Sequence, residues 1–283
     1  MKLRALAKIN LGLDVLGRRA DGYHELRMIM QTINMYDQLD MEISEEPGIK
    51  ITTNLPYVPV NENNLVYKAA KMLMDEFQVK EGLTVDLQKM IPVAAGMAMI
   101  GVNRLFQLGL SVKALMERGV KIGADVPYCL LRGTALAEGI GDKLRALPAC
   151  PDCYVLIGKP GISVSTKFVY ENLRANELKA HPRIDEMLDA LQWHNLYKMA
   201  DLMENVLETV TIPRYPIIED IKNHMKEHGA LNALMSGSGP TVFGLFDDKL
   251  LAEHACEALK ESRLAKTVFL TTVFNNGGRR YQR

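Results

Sequence analysis

Asp125 stands in an otherwise apolar run, Lys121-Ile122-Gly123-Ala124-Asp125-Val126-Pro127-Tyr128-Cys129. A lone carboxylate there does one of two things. It caps a helix that begins at the proline, or it is a placed catalytic acid–base group. On the residues alone the cap is the simpler account. Lys8 and Asn10 lie two apart among apolar neighbours, so on a strand both point to one face. An edge strand with a solvated face explains that pair as well as a site does. In a third run, Met235-Ser236-Gly237-Ser238-Gly239-Pro240-Thr241-Val242, small residues separate two apolar stretches. A hairpin needs only a short turn, so this many small residues implies close approach of the backbone to something else.

The fourth run is Ile91-Pro92-Val93-Ala94-Ala95-Gly96-Met97-Ala98, after an apolar stretch over 83–91. A strand, then small residues, then a helix start is how a chain builds an anion cradle from free backbone N–H groups. Such a cradle continues with further glycines and a Ser or Thr. Here Ala98 is followed at once by Met99-Ile100-Gly101-Val102-Asn103-Arg104-Leu105-Phe106, which reads as the later part of a helix.

Other candidates have plainer readings. Tyr23-His24 follows a Gly-containing turn and by itself reads as a packed surface turn. His224 and His228 share a helix face at four-residue spacing, but no Glu follows the first and no third ligand is near, so a solvated face is expected rather than a metal. Cys150-Pro151-Asp152-Cys153 has the C-x-x-C spacing of half a zinc site or a redox pair. Cys129 and Cys256 are isolated, so four reduced thiols are expected.

The elements that must position these groups follow from pattern. Residues 3–16 alternate loosely as a first strand, and 29–46 suggest two strands around Asp37. The run 61–67 opens an Asn-capped helix through Phe77, with Leu65, Ala69, Leu73 and Phe77 at helical spacing. Short helices are expected over 103–108 and 111–118. A strand and turn are expected over 133–141, a linker at 148–152, a strand over 154–159 and a helix entered through Ser165-Thr166. One long helical stretch is expected over 184–210. The 283 residues allow one large or two modest domains. Lys plus Arg and Asp plus Glu balance at 34 each, so no global field draws the chain to nucleic acid or anionic membrane. Polar residues interrupt the N-terminal stretch, so no signal peptide is expected. No apolar run reaches membrane-spanning length, and a cytoplasmic location is the expectation.

Ala7-Lys8-Ile9-Asn10-Leu11, the run 18–25 with its Asp-Gly-Tyr-His, and the runs 92–98, 122–127 and 236–241 together resemble the GHMP kinase superfamily of small-molecule kinases. The resemblance runs essentially end to end and in the same order. It implies an α+β chain with two domains. An N-terminal domain like the second domain of ribosomal protein S5 covers 1–150, a ferredoxin-like domain covers 151–283, and the active site lies in a cleft. It also implies ATP- and Mg2+-dependent phosphorylation of an alcohol. The Asp-Gly-Tyr-His and Gly-Ala-Asp-Val-Pro runs point to a cytidine diphosphate alcohol as substrate. A homodimer is left open.

Carried over residue by residue, the resemblance makes Asp125 the catalytic carboxylate and Lys8 its partner, with Asn10 a substrate contact beside them. Tyr23 and His24 would recognise cytosine, with Tyr170 as the aromatic opposite and Phe168 in reserve. Thr166, Gly237 and Ser238 would touch substrate, and Gly239 the nucleotide phosphates. Asn63, Asn64 and Leu65 would help form the adenine pocket. Pro92, Val93, Ala94, Ala95, Gly96, Met97 and Ala98 would form the phosphate cradle, while the magnesium ligands stay unassigned. A carboxylate beside an ammonium is a weak base, so Asp125 would orient the attacking hydroxyl and take its proton late.

One departure stands out. By comparison with the superfamily pattern, roughly nine to twelve residues that would wrap the phosphates at a helix N-terminus are missing between Ala98 and Met99. Lys8, Tyr23, Asp125 and the Gly-Ser run are intact, as a working kinase needs. The expectation carried forward is that a Gly-Ser-rich loop belongs there, disordered without nucleotide. The alternative is a true deletion that leaves a catalytically inactive cytidine-binding protein.

Overall fold

The computed structural model describes residues 1–90 and 94–276. The strands are β1 (Lys2–Arg18), β2 (His24–Ser44), β3 (Ile49–Thr53), β4 (Gly82–Gln88), β5 (Thr134–Gly139), β6 (Lys143–Ala146), β7 (Tyr154–Lys159), β8 (Glu204–Asn205), β9 (Asn232–Met235), β10 (Val242–Phe246) and β11 (Thr267–Thr272). The helices are α1 (Leu65–Glu76), α2 (Ala95–Leu105), α3 (Val112–Gly119), α4 (Val126–Leu131), α5 (Thr166–Asn172), α6 (Ile184–Gln192), α7 (Leu196–Asp201), α8 (Glu208–Arg214), α9 (Ile217–Glu227) and α10 (Lys249–Ser262). No helix is long and apolar enough to cross a membrane among the described residues.

The chain forms two compact units that interleave in sequence: Met1–Ala7 with Met35–Arg132, and Lys8–Asn34 with Gly133–Arg283. The 148–152 stretch therefore lies inside the second unit, because β5 pairs with residues 26–31 of β2 before the chain reaches it.

In the first unit β4 is flanked by β3, parallel, and by residues 38–44 of β2, antiparallel. Helices α1, α2, α3 and α4 cover this sheet around a core that includes Leu39, Met41, Leu73, Val85, Met99 and Val102. Each fully buried aliphatic side chain contributes about 1.5–3 kcal/mol. The inward face of α1 is Val66, Ala69, Ala70, Leu73 and Met74, while Leu65 and Phe77 are exposed. The expected 65–69–73–77 stripe is thus rotated toward the start of the helix.

Three further expectations change. β2 is one strand through Asp37, not two. That carboxylate is fully buried, its Oδ2 accepting from Lys89 Nζ at 2.7 Å and its Oδ1 from Met90 N–H at 2.6 Å. No separate helix covers 103–108; those residues end α2 and turn through Gln107 (φ 53°). Most important, α2 runs unbroken through Ala98 and Met99, with Ala98 N–H bonded to Ala94 C=O at 3.1 Å. The loop expected between those two residues is not there.

In the second unit β7, β9, β10 and β11 form an antiparallel sheet in the order β11-β7-β10-β9. Counted within the sheet this is 4-1-3-2, with helices after the first and third strands, the ferredoxin-like arrangement. Residues 8–18 of β1 and 24–34 of β2 belong here too, with β5, β6 and the short β8 parallel to β1 at Gly12 and Leu13. The helical stretch expected over 184–210 is broken twice. His194 turns the chain at φ 54° between α6 and α7, and β8 precedes α8.

Candidate active site

Alternation along β1 places Lys8, Asn10, Gly12 and Asp14 on one face in the second unit. Lys8 Nζ donates to Asn10 Oδ1 at 3.0 Å, and Ser236 Oγ donates to the same oxygen at 3.4 Å. Asn10 is fully buried and its amide nitrogen donates to Met28 Sδ at 3.3 Å. The solvated edge strand is excluded: this face is covered. Further along, a Cβ on Gly12 would meet Ile184 Cδ1 at 2.9 Å, so glycine lets α6 approach. Asp14, also buried, has both carboxylate oxygens within 2.8–3.1 Å of His181 Nδ1.

The 236–239 loop sits against this face. Gly237 (φ 59°) and Gly239 (φ 85°) hold left-handed conformations that side chains resist, and a Cβ on Gly239 would also strike Met235 Sδ at 2.6 Å. The loop is held by residues that its own motif does not contain. Asn205 Nδ2 donates to Met235 C=O and Gly237 C=O, both at 2.8 Å. Glu208 Oε1 accepts from Met235 N–H at 2.7 Å and its Oε2 from Lys222 Nζ at 2.7 Å. Burial pushes the Glu208 carboxyl up, against the pull of Lys222. Thr211 Oγ1 donates to Ser238 C=O at 3.4 Å. These supports were missed from sequence. Their one signal is Asn205-Val206-Leu207-Glu208, which reads as a capping box; in the fold the Glu208 carboxylate reaches Met235 instead of capping.

Helix α5 links the loop to the Tyr23-His24 turn. Ser165 caps it, accepting from Phe168 N–H at 3.2 Å. Thr166 Oγ1 lies 2.9 Å from Ser238 Oγ. One turn on, on the same face, the Tyr170 ring packs 5.2 Å from the His24 ring, tilted by 35°. Phe168 is on another face and exposed. The turn that presents Tyr23 and His24 is braced by Arg19, which pairs with Glu25 at 2.7 Å and with Asp21 at 3.1 Å, while Asp21 accepts from Tyr23 N–H at 3.1 Å. Tyr23 is 62% exposed, an open aromatic face. Burial and then the charge of Arg18 hold His24 below the ordinary histidine range.

In the first unit Asp125 precedes α4, with Pro127 at the second helical position. Its side chain accepts no capping hydrogen bond, so the cap reading fails in detail. Asn64 does cap: its Oδ1 accepts from Val66 N–H at 2.8 Å and its Nδ2 donates to Pro59 C=O at 2.6 Å. Both ends of that amide are committed to the fold, while Asn63 and Leu65 are exposed. Of the cradle residues, Ala94 precedes α2 and Ala95, Gly96, Met97 and Ala98 form its first turn, all five buried. Pro92 and Val93 lie outside the described residues. All four cysteines are free thiols, and among the described residues no three His, Cys, Asp or Glu side chains are grouped to hold a metal.

Comparison with known proteins decides the family. The family model for the GHMP kinases N terminal domain matches residues 64–133, and that for GHMP kinases C terminal matches 187–264. This chain belongs to the GHMP kinases. The 4-diphosphocytidyl-2-C-methyl-D-erythritol kinase of Lachnoclostridium phytofermentans is 54% identical, with 98% of each chain covered. That of Caldicellulosiruptor bescii is 45% identical, over 98% of this chain and all of its own. Among solved structures, a 4-(cytidine 5'-diphospho)-2C-methyl-D-erythritol kinase superposes with a TM-score of 0.82 at 29% identity, over 96% of this chain and 99% of that one. Homoserine kinase from Cytophaga hutchinsonii reaches 0.76 at 20% identity, covering 96% and 94%, a likeness of fold alone. The Lachnoclostridium alignment runs over 285 positions yet spans 98% of 283 residues, about 277. About eight positions therefore face no residue of this GHMP kinase.

Proposed function

We propose that this chain transfers the γ-phosphoryl group of ATP to the 2-hydroxyl of 4-diphosphocytidyl-2-C-methyl-D-erythritol, a step in non-mevalonate isoprenoid precursor synthesis. The observation that carries the reading is the His24–Tyr170 ring pair in the second unit. The hydrogen-bonded groups Lys8–Asn10–Ser236 and Thr166–Ser238 belong to the same unit. Cytosine stacks against an aromatic and hydrogen-bonds an imidazole. Tyr23 and Tyr170 supply ring surface and His24 the edge, while the hydroxyls of Thr166 and Ser238 meet the polar chain that leads away from the base.

Phosphoryl transfer through a loose transition state needs positioning and charge neutralisation more than strong basicity. Asp125 orients the hydroxyl and receives its proton, and Lys8 neutralises charge on the transferring oxygens. Mg2+ bound with the nucleotide phosphates would supply further charge neutralisation there.

A second reading is favoured by the unbroken α2 and its buried first turn. If the residues missing after Ala98 leave the phosphates unheld, the chain grips the cytidine ligand and turns over no ATP. Calorimetry with the cytidine substrate, alone and then with Mg·ATP, separates the two when paired with an assay of ADP release. Binding with saturable turnover supports the kinase, and binding without turnover supports the second reading. No cytidine binding at all removes both.

A further inference from the structure

We propose that Asn205 and Glu208 are positioning residues: they hold the 236–239 loop in the shape that presents Ser236 and Ser238 to the substrate. What the loop touches rests on the kinase reading above; how the loop is held does not.

Asn205 is buried and every polar atom of its side chain is committed. Its two N–H bonds go to Met235 C=O and Gly237 C=O at 2.8 Å, and its Oδ1 accepts from Leu207 N–H at 3.0 Å. Glu208 seizes the other side of Met235, accepting its N–H at 2.7 Å. Lys222, itself buried, fixes the second carboxylate oxygen at 2.7 Å and meets Glu219 at 3.1 Å. Met235 is thus clamped at both its N–H and its C=O, at the residue where β9 ends and the loop begins. The same stretch of chain is anchored to β1, where Val206 N–H bonds Leu13 C=O at 3.1 Å and Asn205 lies opposite Leu13.

Stability alone does not call for this arrangement. A buried ion pair is often matched by apolar residues of the same volume. What the polar set adds is direction, because each bond fixes one backbone group of the loop. The consequence falls on the two loop hydroxyls, Ser236 Oγ toward Asn10 at 3.4 Å and Ser238 Oγ toward Thr166 at 2.9 Å. A shift of 1 Å in such groups costs about 10²-fold in rate.

Asn205→Asp tests the brace because it keeps the shape and exchanges the donor for an acceptor that faces two carbonyls. Glu208→Gln is milder, since an amide oxygen still accepts from Met235 N–H. Amide exchange over 235–241 is measured by mass spectrometry, with affinities for cytidine monophosphate and for the full cytidine diphosphate alcohol by calorimetry. Asn205→Asp is expected to speed exchange of that segment by about tenfold, the equivalent of a lost hydrogen bond. It should weaken binding of the full substrate while leaving cytidine monophosphate, read by His24 and Tyr170, unchanged. Glu208→Gln should fall between. Unchanged exchange, or equal loss of both ligands, overturns the proposal. If the unaltered chain binds neither ligand the substrate reading falls, and exchange still decides the brace. Should Asn205→Asp fail to fold, Glu208→Gln is judged by the same readouts.

Discussion

The rings of His24 and Tyr170 pack 5.2 Å apart although the residues are far apart in sequence, one the first residue of β2 and the other on α5. Base–aromatic stacking is worth about 1–3 kcal/mol by alanine substitution. Tyr170→Ala should therefore weaken cytidine monophosphate binding by roughly tenfold or more, and Tyr170→Phe should largely preserve it. Phe168→Ala should change little. Calorimetry on the three variants checks the assignment; an effect at Phe168 that exceeds the one at Tyr170 would reverse it.

His24 also sets a pH dependence. Burial, and then Arg18, lower its proton affinity below the ordinary value of 6.5. The unfolded chain then takes up the proton first as pH falls, so stability rises with pH across that window. The contribution is fully present above 6.5 and is lost as pH drops through the folded-state value. Cytidine affinity should be flat near neutrality and decline only on the acid side of 6.5. An imidazole NMR titration gives the midpoint directly, and a midpoint above 6.5 would contradict the burial argument.

Asp125 does not cap α4 through its side chain, and on the kinase reading its carboxylate orients the substrate hydroxyl and takes its proton. Asp125→Asn should lower kcat by roughly 10²-fold or more, the usual order for loss of a general base. Cytidine-ligand affinity should hardly move. A near-normal kcat removes Asp125 from the mechanism.

Asp37 makes the opposite prediction, in the first unit. It is fully buried and Lys89 Nζ lies 2.7 Å from its Oδ2. Removing one partner of a buried pair leaves an uncompensated charge, at about 3–5 kcal/mol. Lys89→Ala should lose most of that in urea unfolding. The double variant Lys89→Met with Asp37→Leu should recover much of it. If both behave alike, the pair contributes little.

Much of the fold was legible because it depends on local rules. The strand over 154–159, the helix entered through Ser165-Thr166, an Asn cap within 61–64 and the hairpin around the Gly-Ser loop all follow from alternation, capping chemistry and turn composition. Local rules misled where a distant partner intervened. The stretch 29–46 read as two strands around Asp37, but Lys89 meets that carboxylate from the end of β4 and β2 runs through it. The helix over 184–210 read as continuous because apolar spacing persists through His194, whose left-handed backbone interrupts it.

The sequence by itself determined the family, the order of its motifs, and the pairing candidates His24, Tyr170 and Thr166. Those depend on which residue types occur and in what order. Only the tertiary structure decided that α2 runs on from Ala95 without a break, and that Asn205 and Glu208 hold the Gly-Ser loop. The physical reason is the same in both cases. Periodicity records which side chains leave water, but a buried polar or backbone group is defined by the partner it meets, and that partner is chosen by the fold.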